Sequence, residues 1–180
     1  MTDEHTQKTS EEAVVCPRCG KSLNERDLKV DDDAMQAYLR ATLSGERFTK
    51  TFKIADGKIL VTFTELPSTV ADKLQTILRG IPAERLLDKA VDYKLLLSLL
   101  KVEFVDNCDG VIHTKYEAYD DDERLKAINN LDSAFTTFSE SFDESTLRLL
   151  RQLAITFGLL VKTITDSMLN SDFYEGVGLL

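Results

Sequence analysis

Tryptophan is absent from this chain, histidine occurs twice and cysteine three times. Two histidines, His5 and His113, leave little material for general acid–base catalysis near neutral pH. Three cysteines are too few for the disulfide framework of a small secreted domain. There is no GxSxG, no P-loop, no GxGxxG and no HExxH, so no nucleophile elbow, phosphate cradle or zinc-protease helix is encoded. A non-enzymatic role is expected, with acid–base work by carboxylates the one catalytic class left open. Residues 1–12, "MTDEHTQKTSEE", are polar and lack the apolar centre of a signal peptide. The apolar stretch "LAITFGLLV", residues 153–161, is too short to span a bilayer and is followed by Lys162. A reducing, cytoplasmic setting without membrane attachment fits these absences. Positive charge is also short: 22 Lys and Arg stand against 31 Asp and Glu, a net charge of −9. That balance argues against a general nucleic-acid binder, which gains affinity by neutralising phosphates.

What is present is the composition of an ordinary folded protein. The chain has 180 residues, 43% of them hydrophobic and 29% charged. This length suits one domain with a short appendage, able to bury a core without help from a metal. No internal repeat and no low-complexity tract interrupts it. Residues 1–13 read as a disordered arm, and residues 14–30 as a knuckle-like segment and link. Residues 31–172 read as a helical domain with a β-hairpin at 47–65, and residues 173–180 as a tail.

Within the domain, "DDDAMQAYLRATLSG" predicts a helix. Asp31 to Asp33 sit at its start, Met35, Leu39, Thr42 and Leu43 on its apolar face, and Gly45 at its end. In "RFTKTFKIADGKILVTFTEL", alternation on both sides of Asp56-Gly57 predicts a hairpin with one buried face. Phe48, Phe52 and Ile54 share one parity, and Ile59, Val61 and Phe63 share one across the turn. Val70, Leu74, Ile77 and Leu78 predict a second helix. "PAERLLDKAVDYKLLLSLLKVEF" reads as one long helix, apolar on more than one face and therefore central. "DNCDG" is a turn cluster, and "VIHTKY" a short strand. Two closing helices are expected. The first carries Leu125, Ile128, Leu131, Phe135, Phe138 and Phe142. The second, capped by Asp143, carries Leu150, Leu153, Phe157, Leu160, Val161, Ile164 and Met168. The fold class is thus mainly α with one β-hairpin, an α+β domain.

The densest chemistry lies in "CPRCGKSL". Cys16 and Cys19 have the spacing of one zinc knuckle, whose tight turn lets both thiolates reach one ion. No second CxxC follows. Cys108 and His113, spaced C-x4-H, could complete a Cys3His zinc site. Two chains could instead share four cysteines, making a homo-oligomer. A zinc-free turn or a reducible thiol pair is the third possibility, and Cys108 alone is commonly a small buried residue. The carboxylate runs at 31–33 and 120–123 each precede a predicted helix. There they stabilise its N-terminus, and neither has the spacing of a calcium loop. In "RFTKTFK" the phenylalanines read as core and the opposite basic face as solvated, since burying both rings is worth several kcal/mol.

Three stretches resemble segments of small proteins from tailed bacteriophages. "YLRATLSGERFTKTFKIADGKILVTFTEL" is similar to a short helix leading into a "FTKT…GGKLKVTF" hairpin. "YKLLLSLLKVEF" resembles their "YRLALSLKSI" helix, and "FGLLVKTITDSMLNSDFYEG" a closing helix followed by "PDFW". The CPRCG turn is similar to knuckles preceding such domains. The resemblance spans most of residues 35–176. This chain departs from it in Ser-Asp-Phe-Tyr for Pro-Asp-Phe-Trp, and in Ala-Asp-Gly where two glycines are usual.

The resemblance implies a virion or tail-assembly protein, such as a tape-measure chaperone or minor structural part. It would act on phage structural or tail proteins in the host cytoplasm, and the resemblance leaves open whether it stays in the virion. The "FTTF" face and Phe173-Tyr174 could serve as partner anchors, aromatics being favoured at interface hot spots, or belong to the monomer core. The alternative function is a zinc-dependent nucleic-acid-binding regulator, with Arg18, Lys21, Arg26 and Lys29 making the knuckle locally basic.

Overall fold

The computed structural model describes residues 32–105, 110–118 and 125–169. Helix α1, Asp32–Ser44, opens the domain. It stops where expected, because Gly45 takes φ +73°. The Gly45 N–H donates to the Thr42 carbonyl at 3.3 Å and the Glu46 N–H to the Ala41 carbonyl at 2.9 Å, a Schellman cap. Its core side runs through Ala34, Met35, Tyr38 and Ala41. Leu43, expected on the apolar face, is 87% exposed.

Strands β1, Thr49–Ile54, and β2, Ile59–Thr64, form the expected antiparallel hairpin. The turn is longer than an Asp-Gly pair. Ala55, Asp56 and Gly57 all have positive φ, and the Gly57 N–H donates to the Ile54 carbonyl at 3.1 Å. Helices α2, Ser68–Arg79, and α3, Ala83–Ser98, follow. In α2, Val70 and Leu74 are buried while Ile77 lies at the surface.

The long helix expected over 82–104 is corrected at Ser98. Leu99 adopts an extended backbone (φ −71°, ψ 123°), and β3, Leu99–Val105, begins there. Leu95, Leu96, Leu97, Ser98 and Leu99 are all buried. The run is apolar on every side because it is a helix-to-strand junction inside the core. Local propensity favoured more helix; pairing with β2 gave those residues a ladder and a buried face. Strand β4, Ile112–Glu117, is the short strand expected from "VIHTKY".

The expectation of a single hairpin is therefore corrected to a four-stranded antiparallel sheet in the order β1-β2-β3-β4. Register places Phe52, Val61, Val102 and Tyr116 in one row across it, and Thr51, Thr62, Lys101 and Glu117 in the next. The first row faces the helices. In the second, the Thr51 and Thr62 hydroxyls share a hydrogen bond of 2.9 Å, and Lys101 lies 3.9 Å from Glu117. This is the one-faced alternation typical of antiparallel sheets.

After a 3-10 turn, Ala127–Asn129, come α4, Leu131–Ser139, and α5, Glu144–Leu169. The single helix expected over 120–142 is broken at Asn130, whose backbone (φ −151°, ψ 60°) is not helical. Asp143 caps α5 as expected. Its carboxylate accepts the Thr146 N–H at 2.9 Å and the Thr146 hydroxyl at 2.7 Å, and also bonds Ser145.

Helix α5 lies under the sheet. Phe157 stacks on Phe48 and Phe63, with centroids 6.0 and 5.6 Å away. A second aromatic cluster joins β4 to α4: Tyr116 meets Phe138 edge-on at 5.3 Å, and Phe138 meets Phe135 and Phe142. The option that the "FTTF" face anchors a partner is corrected here, since Phe135 and Phe138 are buried. Among the described residues, no helix is long and apolar enough to cross a membrane.

Candidate protein-binding surface

Helix α3 packs against both α4 and α5. Two polar clamps hold the three together. In the first, Arg151 Nε–H on α5 donates to Asp92 Oδ1 on α3 at 2.6 Å. The Asp92 side chain is largely buried, and the Arg151 guanidinium also lies 5.6 Å from the centre of the Phe135 ring. In the second, the Tyr93 hydroxyl donates to Asp132 at 2.7 Å, Lys89 pairs with the same carboxylate, and Lys89 Nζ sits 5.5 Å above the Tyr93 ring.

Burial, reinforced by the Asp132 carboxylate, pushes the Tyr93 hydroxyl up to about 12. Hydrogen bonds from Lys89 and then Tyr93 hold Asp132 below the usual carboxylate range. Near neutral pH, Tyr93 is therefore a protonated donor and Asp132 an anion. Each supports the other, and the cluster serves as a tie between helices.

Beside the first clamp the α3–α5 surface opens into a groove of about 530 Å³, lined by Leu87, Asp88, Val91, Asp92, Arg151 and Ile155. Its rim is apolar and wet. Leu87 is 76% exposed, Ile155 47%, and Leu159, one turn further along α5, 48%. These apolar side chains stand on rigid helices whose opposite faces are locked into the core. Such a surface gains free energy when another apolar surface covers it.

The residues singled out from sequence are placed as follows. His113 lies on β4 and is exposed. Cys16, Cys19, Cys108, Phe173 and Tyr174 lie outside the described residues, as does the run 120–123. Asp33 is exposed in the first turn of α1. Among the described residues, no group of three or more His, Cys, Asp or Glu side chains is placed to hold a metal ion. Sequence reasoning missed Leu87, Ile155 and Leu159. The readable signal was that Ile155 and Leu159 are apolar yet fall outside the stripe assigned to the core. The Asp92–Arg151 pair, 59 residues apart, left no local signal.

Comparison with protein families, with characterised proteins and with solved structures gives no match.

Proposed function

We propose that this chain is a non-enzymatic assembly protein of a tailed-phage particle, acting on phage structural or tail proteins by protein–protein contact. The observation that supports this reading is the apolar rim of Leu87 and Ile155 over the α3–α5 groove. It offers a partner apolar area on a preorganised frame, so little ordering entropy is lost on binding. The likeness of the α1–β2 segment and of α5 to tailed-phage proteins supplies the class of partner.

Zinc belongs to the same proposal. Cys16 and Cys19 would hold it, with Cys108 and His113 or with a second chain's pair. His113, exposed on the edge strand β4, is accessible to such a ligand set.

The experiment is affinity purification of tagged chain from infected cells, beside a Leu87→Glu variant. Recovery of phage structural proteins with the wild type, and their loss with the variant, supports the proposal. Recovery of only host proteins or nucleic acid overturns it, and salt-sensitive nucleic-acid binding would favour the regulator instead.

A further inference from the structure

Among the described residues, one face of α5 is left uncovered. Arg148, Gln152, Ile155, Leu159, Lys162 and Asp166 are exposed. At about 100° per residue they fall within roughly 40° of one line along the helix. The opposite side carries Leu150, Ala154, Phe157 and Ile164, all buried. The line therefore points straight away from the core.

The order of residues along it is self-complementary. The spacings between successive members are four, three, four, three and four, which read the same in both directions. Laid antiparallel on itself about the level of Phe157, the line sets Arg148 opposite Asp166, Gln152 opposite Lys162, and Ile155 opposite Leu159. Cation meets anion at both ends, and apolar meets apolar in the middle. A parallel arrangement would set each charge against its own copy, which repels.

A further observation points to the same level of the helix. Gly158 is exposed mid-helix, and a Cβ built there would meet nothing within 4 Å. An interior helical glycine is destabilising by about 1 kcal/mol relative to alanine. Among the described residues nothing packs against this position, which flanks the line about 80° to one side at the level of Phe157.

We infer that a second copy of this chain covers this face, α5 against α5 in antiparallel two-fold symmetry. Ile155 and Leu159 form the apolar centre, and Arg148 with Asp166 the polar ends. The inference rests on the residue order of α5 and goes beyond the proposed function: Ile155 then serves the two-fold contact, and Leu87 on α3 is the exposed apolar side chain left to a phage partner. A single helix pair is a small interface, so association should be roughly micromolar.

The test is sedimentation equilibrium of the full chain with reductant and EDTA, which removes metal-bridged cysteines as a cause of association. The wild type should be dimeric at high micromolar concentration, and Ile155→Glu and Leu159→Glu monomeric. Arg148→Asp alone and Asp166→Arg alone should each weaken the dimer at least tenfold. The double variant should return to within about threefold of the wild type, because the pairing is restored with its sign reversed. Circular dichroism confirms that each variant is folded. A monomeric wild type, a dimer indifferent to Ile155→Glu, a dimer that EDTA abolishes, or a double variant no better than the single ones overturns the inference.

Discussion

Phe157 seats α5 against the sheet through two stacked ring contacts, to Phe48 and Phe63. It is 5% exposed, and its ring lies at 7° to that of Phe48 and 19° to that of Phe63. Phe157→Ala removes the ring from between two others and leaves a cavity that the flanking strand and helix cannot both close. Burial loss and cavity together put the cost at about 3–5 kcal/mol. For a domain of this size that is a fall in Tm of roughly 6–20 °C, and a large part of a total stability of about 5–15 kcal/mol.

Phe157→Leu keeps most of the apolar volume and loses only the stacking and fit, about 1–2 kcal/mol. The assay is urea unfolding followed by circular dichroism at one fixed protein concentration, since self-association would add to stability. The slope in urea should be the same for all variants if the native state stays compact. A cycle of Phe48→Leu and Phe157→Leu should show coupling of about 0.5–1.5 kcal/mol. A Phe157→Ala cost below about 1 kcal/mol, or zero coupling in the cycle, would refute the seating of α5 through this stack.

Tyr93→Phe should cost about 1 kcal/mol, because Asp132 is exposed enough for water to replace the lost donor. In the wild type Tyr93 should titrate near 12 in absorbance at 295 nm, a step missing from Tyr93→Phe. Its raised pKa favours the folded state below the unfolded tyrosine value of about 10, and that support is lost as pH rises toward 12. Asp143, held well below the usual carboxylate range by Ser145 and Thr146, works in the opposite sense. Its support is present above the unfolded value of about 4 and is lost as pH falls below it. Asp143→Asn should therefore match the wild type near pH 7 and show a shallower acid limb in thermal melts from pH 5 to about 2, whereas Asp143→Ala loses the cap at every pH. Native mass spectrometry of protein purified without added metal should show one zinc per chain, reduced by Cys108→Ser, if Cys108 and His113 close the site. One zinc per dimer, indifferent to Cys108→Ser, would mean that two chains share it.

The elements that sequence alone determined are those whose physics is local. The buried stripe of α5 follows from its 3.6-residue period, and Leu150, Phe157 and Ile164 are core as that period requires. The hairpin follows from alternation on both sides of a turn, Gly45 from the need for a left-handed residue after α1, and Asp143 from the unpaired N–H groups that open α5.

Tertiary structure decided what no local rule could. "LLLSLL" satisfies a helix and a strand equally well, and only the free edge of β2 turned Leu99 onward into β3. Asn130 stopped the helix expected over 120–142. Asp92 met Arg151 because α3 and α5 cross, which no spacing encodes. The candidate surface was legible only by subtraction. Leu87, Ile155 and Leu159 became conspicuous once the core was assembled without them, because burial is a property of the packed whole and not of the residue.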